Sequence, residues 1–140
     1  MFLGKWTGEE VEEPRYHLCY PYFPDDVKEK MESDDFGVKC TSYKEMLPKL
    51  YRRQFTIRSK VTNEVKHVTH YHLEAWLSGY GFPTDDELFR LQAIVREIFR
   101  AKDMYPKSPP IIHDSEGMVK TGAILAMTIL TQLVRKLKFE

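Results

Sequence analysis

Residues 109–127 read PPIIHDSEGMVKTGAILAM, and their order is that of a loop built to cradle an anion. An apolar pair, Ile111 and Ile112, runs into a short polar turn, and Gly122 opens an apolar helix. In that layout backbone N–H groups and a helix N-terminus surround a phosphate, because the unsatisfied amides carry partial positive charge. Yet the turn holds Asp114 and Glu116, two negative charges where the phosphate would sit. At ~4 Å and an effective dielectric constant of roughly 20, each pair of like charges costs about 4 kcal/mol. The alternative is a loop whose anion is its own, with Asp114 held by the cradle and Lys120 assisting. A nucleotide-type phosphate loop is not formed, since GMVKTG has the Lys-Thr pair but only one upstream glycine, Gly117.

The elements that must position this loop are legible from periodicity. YRRQFTIRSK sets Phe55 and Ile57 against Gln54, Thr56 and Arg58, the period-two pattern of a half-buried strand. VTNEV is a polar turn, and KHVTHYHLEAW alternates again, with Thr69, Tyr71, Leu73 and Ala75 on one face and Val68, His70, His72 and Glu74 on the other. These two strands predict an antiparallel hairpin, preceded by a short strand at DFGVKCT. Thr84 with Glu87 three residues on forms a capping box for a helix whose stripe is Leu88, Leu91, Ile94, Val95, Ile98 and Phe99. IIH is predicted as a short buried strand. Residues 121–137 are predicted as a second helix, apolar on nearly every face at its start and therefore buried. Residues 1–18 read as an extended lead-in. The whole predicts one α/β domain with a mixed or antiparallel twisted sheet and a strand–loop–helix unit near its C-terminal end.

Composition narrows the function classes. The 140 residues are 42% hydrophobic and 13% aromatic, enough for a folded core. Lys plus Arg and Asp plus Glu are 21 each, so no global field favours nucleic acid or an anionic membrane. Cys19 and Cys40 give neither a disulfide framework nor metal-ligand spacing, and both read as small core or subsurface residues. His67, His70 and His72 lie on one strand, only the last two sharing a face, and are read as strand positions rather than metal ligands. No metal and no cofactor is expected.

The loop and several landmarks around it resemble the protein tyrosine phosphatase family. That family's signature is His-Cys, five residues, then Arg-Ser/Thr-Gly; here the run is His113-Asp114, then Ser115, Glu116, Gly117, Met118 and Val119, then Lys120-Thr121-Gly122. CYPYFP, Cys19 to Pro24, is similar to the family's Cys-x-x-Tyr-Trp-Pro. VTHYHLEAW resembles the strand that ends in Trp-Pro-Asp, the mobile acid loop, and GFPTDDELF resembles the Gly-Val-Pro and helix that follow it. The resemblance implies a single partial domain over residues 19–140, without the family's N-terminal part and C-terminal helices. Uncovered sheet edges and apolar helix faces are then expected, with self-association through them. Divergent, inactive members occur in nematodes and in the bracoviruses of parasitoid wasps, and the resemblance points to such an origin.

The departures fall on the chemistry. The family's thiolate nucleophile is replaced by Asp114, its clamping arginine by Lys120, and Trp76 is followed by Leu77 and Ser78 where proline and the general-acid aspartate would stand. A lysine is a point charge, without the planar fork that grips two phosphate oxygens. Positioned general acid–base catalysis contributes about 10²–10⁴-fold, and its residue is absent. An acyl phosphate on Asp114 would lean on a metal, for which the sequence shows no evident ligand cluster. Trp76 reads as the hinge packing residue, with Tyr80 beside it a candidate contact. The expectation is a phosphatase-like protein without catalysis, acting in the cytoplasm (a host's, if viral) on a protein partner. That partner is a phosphotyrosine protein or an active relative's substrate, not nucleic acid or membrane. The alternatives are a divergent phosphatase that hydrolyses or captures phosphotyrosine, and a decaying fragment without selected function.

Overall fold

The computed structural model describes residues 2–3, 22–74, 84–114 and 117–137. Among these, six strands form one mixed sheet and two helices pack on it. The strands are β1 (Phe2–Leu3), β2 (Lys30–Glu32), β3 (Phe36–Leu47), β4 (Leu50–Ser59), β5 (Val65–Leu73) and β6 (His113–Asp114). The helices are α1 (Asp85–Met104) and α2 (Val119–Leu137). The strand order is β2-β3-β4-β5-β1-β6, antiparallel from β2 to β5, while β1 runs parallel to both β5 and β6. Of the expected lead-in at 1–18, Phe2 and Leu3 pair in the sheet and join β5 to β6, and the rest lies outside the described residues.

The predicted hairpin is β4–β5, registered from Leu50 opposite Leu73 to Arg58 opposite Val65. Its turn places Asn63 at φ 57, a left-handed conformation that asparagine tolerates better than most residues. Ser59 Oγ accepts the amides of Val61 and Thr62, which closes that turn locally. β3 is longer than the predicted DFGVKCT strand, reaching Leu47 with register shifts between Cys40 and Ser42 and between Glu45 and Leu47. Those irregularities break the period-two pattern, which is why its second half does not read as a strand.

The two faces of the β4–β5 pair carry different contents. Leu50 and Leu73 meet Leu91 and Ile94 of α1 and Ile124 of α2 in the main core. The opposite face forms a smaller cluster of Phe55 with Cys40 and Phe23. The capping box of α1 is present: the Glu87 amide donates to Thr84 Oγ1 at 3.3 Å and the Thr84 amide to Glu87 Oε2 at 2.7 Å. Leu91, Ile94, Val95 and Phe99 are buried as the stripe predicts, whereas Leu88 is exposed and Glu87 is buried in its stead, drawn in by the cap.

Two expectations are corrected. The strand near residue 112 is His113–Asp114, the two positions that pair with Phe2 and Leu3, and Ile111 before it is 77% exposed. α2 starts at Val119 and is not buried: Thr121 and Ile124 are, but Leu125, Ile129, Leu130, Leu133 and Leu137 are exposed. Only the sheet and α1 cover this helix among the described residues, and they meet one side of it.

The β3–β4 turn carries the clearest local strain. Lys49 sits at φ 63 between Pro48 and Leu50, a conformation that crowds any Cβ. Lys49→Gly is expected to raise stability by about 0.5–1 kcal/mol, the relief exceeding glycine's extra unfolded-state freedom. Urea melts of the two chains check it, and an unchanged or lower midpoint would refute it.

Candidate functional site

The loop between β6 and α2 holds an anion supplied by the chain. Asp114 Oδ1 accepts the amide of Gly117, and Asp114 Oδ2 accepts the amide of Thr121 at 3.0 Å. Gly117 adopts φ 72, which turns its N–H inward at no Cβ cost. Thr121 is the third residue of α2, so its amide is one of the donors that helix geometry leaves without an internal partner. α2 has no acidic residue in its own first turn. Asp114 supplies that charge from the preceding strand and interacts favourably with the helix dipole. The Thr121 hydroxyl, buried in the same place, has no hydrogen-bond partner.

A second network fixes the start of the loop. The Tyr22 hydroxyl lies 2.8 Å from His113 Nε2 and 3.4 Å from His70 Nε2. Burial pushes the pKa of His70 down to about 2 and lowers that of His113, so both rings are neutral at neutral pH. His70 Nδ1 is buried without a partner, which favours placing the ring's single proton on Nε2. His70 then donates to the Tyr22 oxygen, and Tyr22 donates to His113 Nε2.

Tyr22 is held there by its own segment. Arg53, 2% exposed, pairs with the Asp25 carboxylate and donates from Nε to the Asp25 carbonyl at 3.2 Å. Its guanidinium lies 5.1 Å from the Phe23 ring centre, 4.9 Å from Tyr43 and 5.4 Å from Tyr51. A cation so placed draws on ring quadrupoles as well as its ion pair.

The structure therefore brings His113, Asp114, Gly117 and Thr121 together. Lys120 is half-buried in the first turn of α2, while Met118, Val119 and Gly122 are exposed. Ser115 and Glu116 lie outside the described residues, as do Cys19, Trp76, Leu77, Ser78 and Tyr80. Among the described residues no group of three or more His, Cys, Asp or Glu side chains could hold a metal ion. Sequence reasoning missed the Tyr22–His70–His113 set and the Arg53 cage. The available signal for the latter was a charged Arg53 on the face that carries Phe55.

The sequence model described as protein-tyrosine phosphatase matches residues 8–139. The chain belongs to this family. It is 31% identical over 110 residues to human receptor-type tyrosine-protein phosphatase eta, covering 78% of this chain and 8% of that protein. It is 31% identical over 116 residues to tyrosine-protein phosphatase 1 of Caenorhabditis elegans, covering 83% and 11%. Against tyrosine-protein phosphatase 12 of Styela plicata the figures are 35% over 91 residues, 64% of this chain and 84% of the other. A solved structure of PTPN18, described as the basis of its fingerprint on distinct HER2 tyrosine phosphorylation sites, superimposes with a TM-score of 0.75 at 19% identity, covering 98% of this chain and 45% of that one. PTPN18 in complex with HER2 phosphopeptides gives 0.74 at 20% identity, covering 99% and 44%. The protein is thus part of a tyrosine phosphatase domain by fold, spanning a small share of the first curated relatives and just under half of the solved phosphatase chains.

Two outcomes follow for this phosphatase-like site. Asp114→Ala strips α2 of its cap and is expected to cost about 0.5–2 kcal/mol in urea unfolding, a loss that Asp114→Asn restores in part. The second concerns pH. The unfolded chain protonates His70 near the ordinary value of 6.5 while the folded chain keeps it neutral down to about 2. Stability is therefore complete above pH 6.5 and falls below it, by about 1.4 kcal/mol per pH unit for each such histidine. Melts from about pH 7.5 to about pH 5 should show that slope, and His70→Phe should flatten it by about one proton. An identical slope in His70→Phe would contradict the assignment.

Proposed function

We propose that this chain is a phosphatase-like protein without catalysis, which acts by binding a protein partner. The observation that carries the reading is Asp114 in its own cradle: its carboxylate takes the Gly117 and Thr121 amides that a bound phosphate would need. The signature run itself supports it, with Asp114 at the nucleophile position and Lys120 at the clamp position. Leu77 and Ser78 at the acid-loop position point the same way. A carboxylate tethered three residues from Gly117 competes at high effective concentration with any phosphate from solution. The partner is a phosphotyrosine protein or the substrate of an active relative, and it is met on a surface other than this loop. A cytoplasmic setting fits the buried free thiol of Cys40. No helix among the described residues is long and apolar enough to cross a membrane.

Calorimetric titration with a phosphotyrosine peptide tests the reading, run on the native chain and on Asp114→Ser beside an assay of phosphate release from an aryl phosphate. The native chain should release none and give no binding heat. Removing one like-charge contact should tighten peptide binding in Asp114→Ser on the order of 10²–10³-fold. Saturable binding by the native chain, or phosphate release that Asp114→Ala abolishes, would sink the proposal.

A further inference from the structure

The face of the β4–β5 pair that carries Leu50 and Leu73 is closed by α1 only at that end. Beyond it, the same face floors an open cleft of about 950 Å³, walled by α1 and the connector at 105–112. This volume lies near the upper end of the ~300–1,000 Å³ found for small-molecule sites. The floor is polar, with Arg52 opposite Tyr71 and Gln54 opposite Thr69. The walls carry apolar side chains, Ile98, Met104 and Ile111, beside polar ones, Glu97, Arg100 and Ser108.

Charge around the cleft is unevenly satisfied. The Tyr71 hydroxyl donates to Glu97 Oε2 at 2.8 Å, and Arg100 donates to Glu97 Oε1 at 2.6 Å, so the carboxylate has two donors and a cation. Burial, then Glu97, pushes the Tyr71 phenol up to about 12, which keeps it a donor. Arg52 has no such partner. Its Nε is buried without a hydrogen bond, and no carboxylate pairs with it among the described residues. Buried donors are rarely left unmade in folded proteins. Arg52 lines the cleft, and the paired terminal N–H groups of a guanidinium match the two oxygens of a carboxylate.

We propose that this cleft binds a small amphipathic carboxylate, its acid group on Arg52 and its apolar body between α1 and Ile111. The site lies on a different part of the sheet from the Asp114 loop and does not depend on that loop's function. A monoanion fits better than a dianion, because one unpaired guanidinium faces it and Glu97 lines the same cleft. An apolar body is matched by Ile94, Ile98, Met104, Ile111 and Ile112, which line the cleft beside Arg52.

The test uses 2-naphthoate and its neutral counterpart 2-naphthamide, titrated into the 140-residue chain and followed by amide NMR shifts and calorimetry. Naphthoate should bind saturably and shift amides of β4, β5 and α1, with naphthamide at least about tenfold weaker, the scale of one charge-assisted hydrogen bond. Arg52→Gln should remove that preference and Arg52→Lys should keep part of it. Equal affinity for acid and amide, no saturable binding, or shifts centred on α2 would each overturn the proposal. The acid-against-amide comparison needs only the native chain, so a variant that fails to fold leaves the test decisive.

Discussion

One buried cation sets the arrangement of the far face of the sheet. Arg53 cannot be buried alone, since an unpaired charge in the interior costs several kcal/mol. Its charge is met by Asp25, by three aromatic faces and by the Asp25 carbonyl, all but Tyr43 and Tyr51 delivered by the segment at 22–26. That segment must therefore dock across β4 and β5. Docking it places Phe23 in the small core with Cys40 and Phe55, and puts Tyr22 between His70 and His113. The orientation of the loop after β6 thus depends, through two hydrogen bonds, on a salt bridge on a different strand.

The loop inherits a second constraint from α2. A helix start needs acceptors for its first amides, and this helix has no acidic residue of its own in that turn. In a phosphate loop the ligand serves as acceptor, so the helix start is complete only when it is occupied. With Asp114 the acceptor is covalently part of the chain. The helix dipole then stabilises a charge fixed in the chain, and the loop has the bonding pattern of a cap.

What could be read from the sequence follows from how local each signal is. The β4–β5 hairpin and the α1 cap depend on residues within a few positions of one another, and periodicity and capping chemistry exposed them. The loop from His113 to Gly122 was readable because its spacing is short and continuous. Phe2–Leu3 could not be, since two residues carry no period and their pairing with His72 and His113 is remote. The Tyr22–His113 contact spans 91 positions and has no sequence pattern at all. For α2, composition showed an apolar helix but not how many neighbours it meets. Apolarity on every face predicts burial only where there are elements enough to cover it.

Two donors remain buried without partners, the Thr121 hydroxyl beside the loop and Arg52 Nε in the cleft, and their surroundings give them different meanings. Thr121 sits where its backbone amide has already bonded Asp114, while its hydroxyl has no partner. Each Asp114 oxygen accepts one of the two loop amides. Arg52 lines the cleft with its Nε buried, so its unmade bond is a cost carried at the edge of open volume. In the proposal above, an anion on the rest of the guanidinium offsets that cost. Whether neighbouring groups have already used the available acceptors distinguishes the two positions.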